Sequence, residues 1–391
     1  MKDSNFVLFE DIQRGLGGTG SPEVVSTPPT WPVSFGVQVS PPRIDQSFVT
    51  GSIETDIGPV PRVFSSLQCS DHWGTIKARS GLNRMDYAID PGLYALGGPD
   101  AESPVLVTAN YKLSFDNLRS ALPGRDAWIL VLDTKGINVW CAAGKGTFGT
   151  AELASRITSS KIDQVVSHRR IILPQLGAPG VAAHVVKKLS GFTVHYGPIR
   201  AQDLGKFLDD GMVATPAMRL KTFNLSERAV LIPIELFQAL KAALIIALVA
   251  LLLSGLGGPA TYLNNVVAYG VFFAVALLSG VFAGAVLIPL LLPYIPGRAF
   301  ALKGLLLGLI AAAVLVLFRN PDMARWADRI ETLVWFLLVP AVAAYLAMNF
   351  TGASTYTSLS GVKKEMRWAL PLEITAGTAG CLLWLGSRFI V

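Results

Sequence analysis

Cysteine is scarce in this chain of 391 residues: Cys69, Cys141 and Cys381 lie far apart. No disulfide framework can be drawn from them, and no C-x-x-C pair is present to build an iron–sulfur cluster. A reducing compartment is therefore the expected setting. Charge is thin as well, with 15% charged residues against 51% hydrophobic ones and a mean hydropathy of +0.48. A formal net charge of +6 invites a nucleic-acid partner. No stripe of Lys and Arg interleaved with aromatics accompanies it, so no nucleic acid is expected. The opening residues lack a basic-then-apolar design, so no secretory signal is expected.

What charge there is falls mostly before Arg228. After it come five apolar stretches, at roughly 232–254, 266–290, 299–318, 332–350 and 370–390. Each approaches or exceeds the ~20 residues needed to cross a bilayer as a helix. Glu235, Lys241 and Glu373 lie near span ends and are expected to reach the interface. Lys and Arg collect on the side shared with the soluble part, at Arg219, Lys221, Arg228, Arg298, Lys303, Lys363, Lys364 and Arg367. Positive loops mark the cytoplasm. The expectation is a multi-pass protein of the inner (cytoplasmic) membrane, with soluble domain and N-terminus inside and C-terminus on the opposite side.

Three regions follow: an extended Pro/Gly-rich arm over 1–65, a soluble domain over 66–225 and a five-helix transmembrane domain over 226–391. From about residue 104 the soluble part alternates short apolar runs with helical patterns. Strands are expected at Val105–Val107, Trp128–Leu132, Gln164–Ser167 and Phe192–Tyr196. Helices are expected over 115–122, 151–157, 181–189 and 201–208. The fold class is thus an α/β Rossmann-like domain joined to an all-α transmembrane domain. In such sheets ligands bind beyond the C-terminal strand ends, near which Asn110, Thr134, His168 and Tyr196 are expected. Cys69, Asp71 and His72 lack the spacing of a metal site and are taken as solvated loop residues.

The stretch Asn138-Val139-Trp140-Cys141-Ala142-Ala143-Gly144-Lys145 is the most informative. Asn is a favoured N-cap, which places Cys141 at the third position of a helix. The partial positive charge of the helix end suits an anionic sulfur there, and a soft sulfur suits a transition metal. Ala142, Ala143 and Gly144 leave room for a large flat ligand. A buried strand with Ile137, Val139 and Cys141 on one face fits the same residues, and so does a small buried cysteine. Immediately downstream, Gly144-Lys145-Gly146-Thr147-Phe148-Gly149 matches G-x-G-x-x-G. With His168, Arg169 and Arg170 it supports an alternative, a membrane-anchored NADP-dependent oxidoreductase. A soft-metal binding or transport protein using Cys141 is a further alternative.

The eight-residue run resembles, without a departure, the cap-helix motif of the HgcA family, the corrinoid proteins of microbial mercury methylation. The stretches from Val107 to Asp116 and from Leu173 to Ala178 resemble the same family. A weaker resemblance over about 100–210 points to the corrinoid domain of the acetyl-CoA-pathway corrinoid iron–sulfur protein, which has no cysteine at the position of Cys141. The resemblance implies a corrinoid, cobalamin or a related one, bound base-off with the Cys141 thiolate as lower axial cobalt ligand. The D-x-H-x-x-G pattern of corrinoid proteins that use histidine is absent, in agreement.

The cofactor-binding residues it implies are Asn138, Val139, Trp140, Cys141, Ala142, Ala143, Gly144, Lys145 and Thr108. Gln175, Leu176, Gly177 and Gly180 form a second loop able to take the cofactor's phosphate or nucleotide tail. The implied activity is that of a methyltransferase forming methylmercury from Hg(II). The implied partners are an HgcB-like ferredoxin-like protein with two four-iron clusters, a methyltetrahydrofolate-linked methyl donor, and membrane lipid.

Overall fold

The computed structural model describes residues 41–81, 84, 86–350 and 359–390; residues 1–40 of the expected arm lie outside these. Seven strands form one sheet in the order β1-β2-β3-β5-β4-β6-β7. They are β1 (Gly51–Thr55), β2 (Gly58–Val63), β3 (Gly92–Leu96), β4 (Val105–Ala109), β5 (Ala127–Leu132), β6 (Arg170–Leu173) and β7 (Thr193–Tyr196). β4 lies parallel to both β5 and β6, and β6 to β7, whereas β3 runs antiparallel to β5.

The central strands are buried on both faces, which is why they read as unbroken apolar runs rather than alternating ones. Val105, Val107, Leu130, Leu132, Ile171 and Leu173 enter one core cluster, while Leu106, Ile129, Val131 and Ile172 enter the other. Helices cover both faces: α1 (Cys69–Arg79), α2 (Lys112–Ser120), α3 (Val139–Lys145), α4 (Thr150–Ser159), α5 (Ile162–Val165), α6 (Ala183–Ser190) and α7 (Leu204–Asp209).

Three expectations change. Residues 51–63, inside the stretch assigned to an arm, form a hairpin that pairs through β2 with β3. The strand expected at Gln164–Ser167 is instead helical at α5, and β6 follows at Arg170–Leu173. Arg169 and Arg170 interrupt the run and disguise the buried Ile171, Ile172 and Leu173. Cys69, Asp71 and His72 lie on helix α1, not in a loop, and Asp71 is only 2% exposed.

Asp71 belongs to a ring of alternating charge. Lys112 Nζ lies 2.6 Å from Asp71 Oδ1 and 2.7 Å from Asp116 Oδ2. Arg119 closes the ring, with Nε 2.8 Å from Asp116 Oδ1 and Nη2 2.7 Å from Asp71 Oδ2. Arg119 Nη1 also donates to the carbonyls of Phe64 and Ser66. Burial pushes the Asp71 carboxyl up, but hydrogen bonds from Lys112 and the Gln68 amide outweigh it and hold it below its ordinary value. The ring ties α1, α2 and the segment after β2 together on one face of the sheet.

Among the described residues five helices are long and apolar enough to cross a membrane: Leu225–Ser254, Tyr262–Leu291, Phe300–Arg319, Trp326–Asn349 and Gly361–Ser387. The chain is a multi-pass membrane protein on that ground. The first begins earlier than its apolar run because Asn224 and Glu227 form a reciprocal capping box. Small residues set the packing of the third and fourth: a Cβ on Gly308 would stand 2.4 Å from Pro340 Cα, and one on Gly304 2.5 Å from the Ala343 carbonyl. Glu373, expected at the interface, has both carboxylate oxygens buried without a hydrogen-bond partner among the described residues. Glu331 is also buried, 3.4 Å from Arg388 and 3.5 Å from Arg319.

Candidate functional site

From β4 the chain moves to β5 on one side, then crosses to β6 on the other. The strand order therefore reverses at β4, and such a reversal opens a crevice at the C-terminal strand ends. Helix α3, which follows β5, packs there against the end of β4 and against the turn Gln175–Gly180 that follows β6.

Two side chains fix how the chain enters α3. Asn110, just past β4, directs Oδ1 at the backbone amides of Thr134 (3.1 Å) and Gly136 (3.0 Å). The Thr134 hydroxyl lies 2.8 Å from that same oxygen and 2.6 Å from the Ile137 carbonyl, with one proton to share. Asn138 then caps the helix, its Oδ1 accepting from Cys141 N at 3.0 Å. Gly146, at φ 81°, ends the helix in the left-handed region. The strand alternative for Ile137 to Cys141 is thereby excluded.

Beside this turn Asp133 is ion-paired with Lys135. Burial pushes the Asp133 carboxyl up, yet hydrogen bonds from the Lys135 ammonium and amide bring it below its ordinary value. The Asp133 amide donates to Glu152 Oε1 at 2.8 Å, and Arg156 holds the same oxygen. The approach to α3 is thus anchored to β4 on one side and to α4 on the other.

The two sides of α3 differ sharply. Trp140, Cys141, Gly144 and Lys145 are exposed, with Trp140 at 43%. Val139, Ala142 and Ala143 are buried in the core. The small-residue run therefore does two jobs. Ala142 and Ala143 let the turn Gln175–Gly180 close against α3: a Cβ on Gly180 would stand 2.1 Å from the Phe148 carbonyl and 3.1 Å from Ala143 Cα. Only Gly144 leaves open space, with nothing within 4 Å of where its Cβ would be.

The remaining predicted residues spread out. Thr108 is buried inside the sheet, opposite Val131. Gln175 Oε1 accepts from Arg219 at 2.9 Å, Leu176 packs on the core, and Gly177 is buried against Phe148. Tyr196 lies at the C-terminal end of β7 as expected, and its hydroxyl donates to the Val181 carbonyl at 2.8 Å. His168 does not: it precedes β6, and its Nε2 meets the Ser103 carbonyl at 3.0 Å, ahead of β4. His168 and Arg170 therefore stand at the N-terminal edge of the sheet, away from Gly144–Gly149. That glycine run also joins helix α3 to helix α4 rather than a strand to a helix, so it is no dinucleotide turn.

Sequence reasoning missed the bracing role of Asn110 and Thr134. Their signal is an amide and a hydroxyl placed directly after consecutive parallel strands. It also missed that Lys112 and Asp116 serve the buried charge ring. Chemically, the arrangement offers one exposed soft sulfur on a braced helical turn. Among the described residues no group of three or more His, Cys, Asp and Glu could hold a metal ion. A metal at Cys141 must therefore bring most of its ligands with it.

Residues 82–208 match the family described as CO dehydrogenase/acetyl-CoA synthase delta subunit. The gamma subunit of the acetyl-CoA decarbonylase/synthase complex from Methanopyrus kandleri is 32% identical over 128 residues, 32% of this chain and 27% of the relative. The corresponding subunit from Archaeoglobus fulgidus is 31% identical over 118 residues, covering 30% and 25%. That from Methanocaldococcus jannaschii is 33% identical over 127 residues, covering 32% and 26%. The chain thus spans about a quarter of the length of these curated relatives, and its family match falls on the domain that carries α3 and the switch point.

Proposed function

We propose that this chain is a membrane-anchored corrinoid protein that transfers a methyl group to Hg(II), forming methylmercury. The observation that carries this reading is Cys141, an exposed sulfur on the first turn of an Asn138-capped helix above the C-terminal strand ends. The likeness to acetyl-CoA decarbonylase/synthase subunits accords with a corrinoid-binding, methyl-transferring domain. The run Asn138–Lys145 resembles the mercury-methylating family, and the cysteine separates it from the acetyl-CoA-pathway proteins.

The site fits the group. A corrinoid would bring most of its metal's ligands with it, and one soft donor is what α3 offers. When bound, the cofactor supplies a cobalt centre that carries the methyl group. Cys141 would hold the cobalt through its sulfur, and that sulfur would donate charge that favours delivery of methyl to an electrophile. Asn138 and the Asn110–Thr134 brace fix where that sulfur sits. Gly144 keeps the exposed side of α3 bare, Trp140 borders it, and Lys145 adds a positive charge. The turn Gln175–Gly180 supports α3 from behind.

The chain has no cysteine pair for an iron–sulfur cluster, and the resemblance to the mercury-methylating family implies a ferredoxin-like partner with two four-iron clusters as the source of reducing equivalents. The same resemblance implies a methyltetrahydrofolate-linked donor of methyl groups. The soluble domain faces the cytoplasm of a cell whose inner membrane holds the five spans, as the Lys and Arg distribution favours.

The test uses the full chain in lipid nanodiscs, loaded with methylated corrinoid and mixed once with Hg(II). Methylmercury is read by mass spectrometry, and cofactor state by absorption. One methylmercury per bound corrinoid is expected. A chain that holds the corrinoid stably but yields none overturns the mercury assignment, and one that takes up no corrinoid overturns the whole reading.

A further inference from the structure

Helix α1 carries an exposed stripe that no described residue of the soluble domain covers. Cys69, His72, Trp73, Ile76 and Lys77 are exposed and recur at three- and four-residue spacing, so they share one side of the helix. Trp73 is 62% exposed and Ile76 52%. The opposite side is committed: Asp71 enters the buried charge ring, Ala78 is buried, and Gly74 lies so close to Tyr87 that a Cβ would stand 2.4 Å from its hydroxyl. An exposed indole beside an exposed isoleucine costs apolar hydration in water.

The far end of α1 meets the membrane-crossing part. A Cβ on Gly81 would stand 3.8 Å from Ile234 Cγ1 and 3.9 Å from Gln238 Nε2, both in the first half of the first span. Arg84 lies within electrostatic reach of Glu235 on the same stretch. Ile76 is five residues before Gly81, roughly 8 Å along a helix at 1.5 Å per residue. Trp73, eight residues before Gly81, is roughly 12 Å from it by the same rise, so the stripe and the contact with the first span share one short helix. Leu220 in the linker and Leu225 at the start of that span are exposed as well.

We infer that the Trp73–Ile76 face of α1 rests on the lipid surface, with the indole and isoleucine in the headgroup–acyl boundary and Lys77 beside lipid phosphates. Tryptophan and lysine are suited to this boundary, one end of each being apolar and the other polar. The ring of Asp71, Lys112, Asp116 and Arg119 fastens α1 rigidly to the sheet. Seating α1 on lipid thus fixes the tilt of the whole soluble domain relative to the bilayer. The inference rests on the span assignment and on α1, not on any reading of Cys141.

The test places the full chain in nanodiscs of phosphatidylcholine and phosphatidylglycerol, with acyl chains either unmodified or brominated near the glycerol end. The emission of Trp73 is taken as the difference between the wild-type chain and Trp73→Phe, a change at an exposed position that leaves the core untouched. Loss of that emission in the brominated discs, with weak quenching by aqueous iodide, is the expected result. Full iodide quenching with no effect of bromine overturns the inference by placing Trp73 in water. Protection from both quenchers overturns it as well, since protein would then cover the face.

Discussion

Asn110 Oδ1 stands 3.1 Å from the Thr134 amide and joins the end of β4 to the turn that launches the cysteine-bearing helix. The same oxygen takes the Gly136 amide at 3.0 Å. The two residues are 24 positions apart in sequence and follow neighbouring parallel strands. The position of Cys141 is therefore set by the sheet and not by its local loop alone.

Asn110→Ala removes the acceptor for two backbone amides. Each buried amide left unpaired costs about 1–3 kcal/mol, so a loss of about 2–6 kcal/mol in stability is expected. Thermal unfolding of the variant and the wild type in the same detergent measures the loss; a loss below about 1 kcal/mol would show that the brace does not act through Oδ1.

Cys141→Ala deletes an exposed sulfur, so the melting temperature should stay within the range of ordinary surface changes, ~0.5 kcal/mol. Methylmercury formation should vanish, and the absorption of bound corrinoid should shift as the axial sulfur is lost. Cys141→His retains a ligand that donates less charge and should recover part of the activity. Full activity in Cys141→Ala would falsify the axial role.

Gly144 and Ala143 separate ligand contact from packing. Gly144→Leu enters open space in the protein itself, so it should leave stability nearly unchanged while lowering corrinoid retention on a desalting column. Ala143→Leu forces extra volume into the contact with Gly180 and should destabilise by about 1–3 kcal/mol before any ligand is added. If Gly144→Leu retains corrinoid like the wild type, the exposed side of α3 does not face the ring.

Asp71 governs an acid response. Its carboxyl titrates below its ordinary value when folded, so its contribution is present above the unfolded pKa of about 3.9 and is lost as pH falls through the lower folded value. Asp71→Asn leaves Lys112 and Arg119 partly uncompensated and should cost about 3–5 kcal/mol at neutral pH, with a flatter stability curve below pH ~4. Unfolding midpoints of both proteins across acidic pH check this; parallel curves would remove Asp71 from the acid response.

Much of this protein is written locally. Apolar runs of bilayer length specify five helices, because an unpaired backbone in lipid has no other refuge. Asn138 specifies the start of α3, because a capping side chain acts within three residues. The buried strands β4 and β5 declare themselves by continuous apolar residues. Tertiary structure decided the rest. β6 hides behind Arg169 and Arg170, and only pairing with β4 and β7 reveals it. His168, placed by sequence beside the ligand, fell to the other edge once β6 shifted by six residues. The buried charge ring of Lys112, Asp116 and Arg119 is closed by Asp71, 41 positions before Lys112, a pairing that no local pattern announces. Which side of Ala142-Ala143-Gly144 is open depended on the turn Gln175–Gly180 closing against it, a contact that no local pattern encodes because it exists only after the sheet has brought β5 and β6 to either side of β4.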